Sequence, residues 1–317
     1  MVKIDLITGF LGSGKTTFIK KYAKYLMEQG LHIGILENDF GAINVDMMLL
    51  QELSGEQCEL EMVSGGCDRD CHRRRFKTKL IAMGMCGYDR VLVEPSGIFD
   101  VDEFFDVLYE EPLDQWYEVG NVIAIVDAKL PEELSGEAEY LLASETANAG
   151  CIVLSRADEA TREEMDRTVA HVNRALRQVQ CSRQFGEEII RKGTPDLESK
   201  ELQKLSACGY VTESYCKKEP EAEKGFDSLF FMHVKTTEEV LRKKITAMLQ
   251  DPSCGRIHRV KGFFLDTDGK WFQLNATVNE ISIEPVNAGQ EVFIVIGEHL
   301  KRESVEKYFN IAEMQAL

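Results

Sequence analysis

Ile4-Asp5-Leu6-Ile7-Thr8-Gly9-Phe10-Leu11-Gly12-Ser13-Gly14-Lys15-Thr16-Thr17 decides the fold of this chain. A short apolar run, which reads as a strand, leads into a turn matching Gly-x4-Gly-Lys-Thr at every fixed position. A helical pattern from Thr17 to Gln29 follows and stops at Gly30. Glycines there let the backbone fold closely around phosphates, so that successive N–H groups point at an anion and the helix start adds its positive end. Gly12, Ser13, Gly14 and Thr17 are the expected cradle residues. Lys15 is expected to reach the β- and γ-phosphates, and Thr16 to place its hydroxyl on Mg²⁺. The motif in this context points to a nucleoside triphosphate.

Outward from that turn, His32–Leu36, Arg90–Val93, Val122–Val126 and Ile152–Leu154 form further runs rich in apolar residues. Such runs, alternating with helical stretches, predict an α/β domain with a mostly parallel sheet buried on both faces and ligands at the carboxyl ends of its strands. Three of these ends carry polar groups. Glu37-Asn38-Asp39-Phe40-Gly41 follows one strand and Glu94-Pro95-Ser96-Gly97 another. Both acids thereby stand on the rim that holds the phosphate turn, where a carboxylate supports Mg²⁺ directly or through water; each could instead cap a helix. Gly97 can offer its N–H to a γ-phosphate. The third end is Ser155-Arg156-Ala157-Asp158, an imperfect Asn-Lys-x-Asp guanine turn. Asp158 would pair with guanine N1–H and the N2 amine, which adenine lacks, Arg156 would lie along the base, and Ser155 replaces part of an Asn amide. The alternative for Asp158 is the N-cap of the next helix.

Residues 191–225 lose the apolar period and read as a connector with at most short helices. Beyond it the texture changes. Strand-like runs at 229–234, 260–266, 271–277, 280–284 and 291–296, with helices at 237–249 and 302–309 and a hairpin signal at Asp268-Gly269, predict a smaller α+β domain. The expected organisation is thus a nucleotide domain over 1–190, a connector over 191–225 and a second domain over 226–317.

The 317 residues carry 37 Lys plus Arg against 54 Asp plus Glu, a formal charge of −17, which argues against a basic nucleic-acid-binding face. No apolar run approaches the roughly 20 residues of a membrane span. The opening Met1–Ile7 lacks the apolar stretch and cleavage site of a secretion signal, so the expectation is a soluble, cytoplasmic protein. Nine cysteines, an odd number, are expected mostly as thiols. Two of them stand out in Ser64-Gly65-Gly66-Cys67-Asp68-Arg69-Asp70-Cys71-His72. Cys67 and Cys71 offer soft donors for Zn²⁺ or a similar ion, although their spacing is C-x3-C and a redox or structural role stays open.

Gly-Phe-Leu-Gly-Ser-Gly-Lys-Thr-Thr, Glu-Asn-Asp-Phe-Gly, the Gly-Gly-Cys segment and Glu-Pro-Ser-Gly, in that order, resemble the CobW-like metallochaperone GTPases. Arg259-Val260-Lys261-Gly262-Phe263 resembles a strand of that family's C-terminal domain. The resemblance implies a SIMIBI-class P-loop GTPase that binds GTP and Mg²⁺ and couples nucleotide state to delivery of Zn²⁺ or Co²⁺ to a client metalloprotein or cofactor-assembly protein. On it Lys15, Thr16 and Glu94 form the hydrolytic site, Glu37 and Glu94 link nucleotide to metal, and Asp158 reads guanine. The family's Gly-Cys-x-Cys-Cys is altered here. Arg69 and Asp70 stand where the second and third cysteines belong, and Cys71 comes one residue late. A site rebuilt on Cys67 and Cys71 would need a third group such as Asp70, His72 or Cys58. Alternatives are an activation factor that carries no metal, and a P-loop small-molecule kinase.

Overall fold

The computed structural model describes residues 1–39, 45–65, 69–97, 101–217 and 226–309, and divides into two compact units, Met1–Lys218 and Glu219–Leu317. The first unit runs β1 (Val2–Thr8), α1 (Lys15–Glu28), β2 (Ile33–Asp39), α2 (Val45–Leu50), β3 (Cys58–Ser64), α3 (Arg69–Gly84), β4 (Arg90–Pro95), α4 (Val101–Leu108) and α5 (Leu113–Trp116). It continues through β5 (Tyr117–Asp127), α6 (Gly136–Ala147), β6 (Cys151–Ser155), α7 (Arg162–Gln178), β7 (Ile189–Ile190) and α8 (Ser199–Leu205). Its seven strands are ordered β3-β2-β4-β1-β5-β6-β7, and every neighbouring pair is parallel.

Alternation along each strand splits the core between the two faces of the sheet. Leu6, Leu36, Val91, Val93, Ala124 and Leu154 pack on one face with Phe76 and Leu80 of α3, Phe104 of α4 and Leu176 of α7. Ile7, Ile35, Leu92, Ile125 and Val153 pack on the other with Phe18, Ile19 and Tyr22 of α1. Leu197, Leu202 and Leu205, from the stretch read as a connector, are buried in this second cluster. Their side chains complete the cover over α1, so residues through 217 pack with the first unit.

Asp5 is fully enclosed on the α1 side of β1. It accepts hydrogen bonds from Tyr22 Oη (2.9 Å), Arg90 Nη1 (2.8 Å) and Asn121 Nδ2 (3.0 Å), which ties β1, α1, β4 and β5 together at the middle of β1.

The second unit, described from 226, contains β8 (Asp227–Met232), α9 (Glu238–Leu249), β9 (Arg256–Leu265), β10 (Trp271–Ala276), β11 (Ile281–Val286), β12 (Val292–Glu298) and α10 (Arg302–Phe309). The strands form an antiparallel sheet ordered β11-β10-β9-β12-β8. Leu241, Ile245, Val305 and Phe309 from the two helices pack with Val260, Phe264 and Phe293 of the strands. The β9–β10 hairpin turns at Asp268-Gly269, where Gly269 has φ 74°. Gly262 sits so near β12 that a Cβ there would lie 2.8 Å from the Phe293 Cα. Among the described residues no helix is long and apolar enough to cross a membrane.

Candidate functional site

The turn between β1 and α1 has the backbone that its glycines foretell. Gly9, Gly12 and Gly14 have φ of 143°, 75° and 90°, a region that residues with a Cβ avoid. A Cβ on Gly9 would run into the Ile125 carbonyl of β5. Gly14 is the left-handed N-cap of α1 and donates no side-chain cap, so the first-turn N–H groups stay directed at the mouth of the turn. Lys15 is buried, and its ammonium is held over the turn by a hydrogen bond to the Gly9 carbonyl (2.6 Å). Ser13 Oγ is buried and has no hydrogen-bond partner among the described residues, as an anion cradle requires when its ligand supplies the partner. Thr17, one residue beyond the fixed motif, is exposed on α1 and lines a cleft of about 620 Å³ with Lys20, Lys21, Thr194 and Pro195.

Beneath Lys15 and Thr16 lies a carboxylate group. Thr16 Oγ1 donates to Glu94 Oε1 (2.9 Å). Glu37 of β2 is the direct register partner of Glu94 on β4, and both side chains are almost wholly enclosed. Burial pushes the Glu94 carboxyl above its usual range. The buried Asp46 of α2 raises it further, while Lys15 and hydrogen bonds with Glu37 and Thr16 pull it down. Its second oxygen, Oε2, is buried without a hydrogen-bond partner among the described residues. Two enclosed carboxylates in register, one with an unsatisfied oxygen, beside a threonine hydroxyl offer hard oxygen donors of the kind that Mg²⁺ takes. Gly97, three residues on, is pressed against the phosphate turn, where a Cβ would lie 2.9 Å from the Leu11 amide nitrogen.

Relief of this crowding gives a measurable sign. A carboxyl whose folded pKa is raised stabilises the fold below its unfolded pKa, and that contribution is lost as pH rises toward the folded pKa. Glu94→Gln keeps the Oε1 acceptor for Thr16 and removes the charge. In thermal denaturation without Mg²⁺ it should be more stable than the parent by about 1–2 kcal/mol at pH 8, the gap closing toward pH 5. A less stable variant at pH 8 would contradict the crowding.

On the other side of the turn, β6 ends in Ser155, which is buried and packs beside Gly14. Arg156 takes a left-handed backbone, φ 52°, and its guanidinium bridges the Gly12 carbonyl (3.3 Å) and the Asp127 carboxylate. Asp127, at the end of β5 and in register with Ser155, also accepts from the Lys129 amide (2.9 Å). Thus the base-side turn is lashed to the phosphate turn. Asp158 is exposed, with its carboxylate over the Gly193 backbone. The helix-cap alternative fails for it: α7 is capped by Thr161, whose hydroxyl accepts from the Glu164 amide in a capping box.

Around the cysteines the picture is different. Cys67 lies outside the described residues. Cys71 is half-buried in the first turn of α3 and is not in a disulfide. Cys58 opens β3 at the end opposite Ser64, about 20 Å away at strand rise. It is wholly buried, which pushes its thiol up to about 11. His72 is enclosed, with Nε2 2.7 Å from Asn38 Oδ1 and Nδ1 3.1 Å from the Gly65 carbonyl. Two of the three candidate third groups, Cys58 and His72, are therefore committed elsewhere. The arginines Arg73 and Arg75 also have local work, on Glu110 (2.6 Å) and the Ser64 carbonyl (2.8 Å). No group of three His, Cys, Asp or Glu side chains disposed to hold a metal occurs among the described residues.

Two members of the site escaped sequence reading. Asp127 follows the run Val122–Val126, so the rule that drew attention to Glu37 and Glu94 would have found it. Asp46 lies in a short helix with nothing in its surroundings to mark it.

The comparisons bear on this geometry. The profile described as "CobW/HypB/UreG, nucleotide-binding domain" matches residues 3–186, more than half of the chain. The zinc chaperone YjiA of Escherichia coli is 29% identical over 182 residues, covering 54% of this chain and 55% of that protein. The zinc chaperone YeiR of the same organism is 29% identical over 164 residues, covering 51% and 49%. This chain therefore spans about half the length of the curated relatives it matches. Similar solved structures include the Zn(II)-bound YjiA GTPase from E. coli, at 17% identity and a TM-score of 0.39 over 97% of this chain and 98% of that one. Another is the hydrogenase maturation factor HypB from Archaeoglobus fulgidus, at 18% identity and a TM-score of 0.37 over 55% and 76%. With the phosphate turn, the paired rim carboxylates and this profile match in one unit, the chain belongs to the CobW/HypB/UreG family of nucleotide-binding domains.

Proposed function

We propose that this chain is a GTP-binding, GTP-hydrolysing switch that couples its nucleotide state to the handling of a Zn²⁺- or Co²⁺-type metal for a client protein. The observation that carries it is the hydrogen bond from Thr16 to Glu94 beneath the phosphate turn, with Glu37 in register beside it. Lys15 releases Gly9 and turns its ammonium to the β- and γ-phosphates. The N–H groups from Gly12 to Thr17 cradle those phosphates, and Gly97 approaches closely enough to offer its own N–H. Thr16 and Glu94, with Glu37 alongside, would hold Mg²⁺, which when bound neutralises charge on the phosphate oxygens. Positioning and charge neutralisation account for the rate. No side chain near the turn is assigned to orient the attacking water, so unassisted turnover is expected on the order of 10⁻² s⁻¹ or slower.

Asp158 reads guanine, supported by Arg156, which holds its turn against Gly12, and by Ser155 behind it. Asp158→Asn should cut the preference for GTP over ATP by about 10- to 100-fold, a loss of 1–3 kcal/mol of discrimination. Calorimetry with both nucleotides in Mg²⁺ tests this, and an unchanged ratio would remove Asp158 from the base site.

The metal is cargo in this reading. Cys67 and Cys71 are its proposed thiolate donors, and the relatives' names as zinc chaperones support it. The engagement of His72 and the distance of Cys58 favour a second reading, an activation factor whose nucleotide controls a client without metal. Metal content after anaerobic purification separates the two. Stoichiometric metal that disappears in Cys67→Ser/Cys71→Ser supports the chaperone; metal-free protein that still responds to GTP supports the factor.

A further inference from the structure

His72 is one of the six histidines of the chain, and its ring is enclosed on every side. Its contacts join the start of α3 to the nearby exit of β3 and to the end of β2, 34 positions away. The ring rises from the first turn of α3, one residue after Cys71. Nε2 meets Asn38, the buried residue next to Glu37 at the end of β2, at 2.7 Å. Nδ1 meets the carbonyl of Gly65, at the exit of β3, at 3.1 Å. Gly65 and the first turn of α3, which carries Cys71, are thus pinned through that one ring to Asn38. On the other side of β2, Glu37 faces Glu94, and Glu94 accepts from Thr16 in the phosphate turn. The nucleotide cradle and the residue beside Cys71 are therefore joined through β2, by the contacts of Glu37 on one face of the strand, those of Asn38 on the other, and the backbone between them.

We propose that His72 is a positioning residue that transmits the state of the nucleotide from the end of β2 to the thiol-bearing start of α3. The imidazole suits this task because it is flat, rigid, and presents polar atoms at opposite edges, so movement of Asn38 must displace the ring or break a buried hydrogen bond. An aliphatic side chain would fill the space without that constraint. The assignment deepens the switch reading and rests on it. It also makes His72 part of the transmission instead of a metal ligand, because its ring is committed on both edges.

The test reads the alkylation rate of Cys71 by peptide mass spectrometry in the full-length, metal-free protein with Mg²⁺·GDP or with Mg²⁺ and a non-hydrolysable GTP analogue. In the parent the two rates should differ by about fivefold or more. In His72→Leu they should agree within a factor of about 1.5, while calorimetry finds nucleotide affinity within about threefold of the parent. Asn38→Asp, which keeps an acceptor for the ring, should retain most of the difference, and Asn38→Leu should lose it. A parent with nucleotide-independent alkylation, or a His72→Leu protein that keeps the full ratio, overturns the inference. Calorimetry on the parent keeps this failure distinct: if no nucleotide binds, the site reading itself has failed, whereas binding without a thiol response removes only the role of His72.

Discussion

Lys15→Ala is expected to weaken GTP binding about a thousandfold, roughly 4 kcal/mol, and to abolish measurable hydrolysis. The reason is the surroundings of the ammonium. It is enclosed, it lies over a turn of positive-φ glycines, and it donates there to the Gly9 carbonyl, a neutral group that phosphate oxygens can outcompete. Loss of the side chain leaves the backbone cradle and the carboxylates of Glu37 and Glu94, which repel an incoming triphosphate. Without Lys15 that repulsion is opposed by the backbone N–H groups and whatever Mg²⁺ the nucleotide brings. Lys15→Arg should recover only part of the loss, since the larger guanidinium must fit beneath the same turn. Titration calorimetry decides the matter, and alanine-substituted protein with parental affinity would place the nucleotide elsewhere.

The second large effect concerns the buried charge in the middle of β1. Arg90→Ala is expected to destabilise the first unit by about 3–5 kcal/mol, because it strands the fully buried Asp5 carboxylate. Desolvation pushes the Asp5 carboxyl up, while Arg90, Asn121 and Tyr22 pull it down. Removal of Arg90 takes away the strongest of those opposing influences. The loss should be greatest at neutral to alkaline pH and shrink as acid protonates Asp5. Pairing the change with Asp5→Asn should restore much of the stability, since the stranded charge then disappears with its partner. Denaturant unfolding of the single and double variants measures this. A double variant no more stable than Arg90→Ala would mean that packing, not charge, carries the effect.

Legibility in the sequence followed the physics of each element. The five central strands of the first unit were readable because burial on both faces demands unbroken apolar runs such as Val122–Val126. Strand β3 was missed because Cys58-Glu59-Leu60-Glu61-Met62-Val63 belongs to the sheet edge, where charged residues interrupt the run. Strand β7, with two residues, has no pattern to find. The phosphate turn, Glu37, Glu94 and the 155–158 turn were visible because each follows a readable strand directly. The link between His72 and Asn38 was not, since a contact across 34 positions leaves no spacing in the chain. Leu197, Leu202 and Leu205 were hidden among Lys, Glu and Ser, although together they cover α1.

The parallel order of the first sheet also dictates when the site can exist. Strand β1 pairs with β4 through Leu6 and Val93, and with β5 through Leu6 and Val122. A chain still emerging from the ribosome therefore holds its phosphate turn unsupported until β5, which ends at Asp127, has been made. Nucleotide captured during synthesis would consequently mark completion of β5.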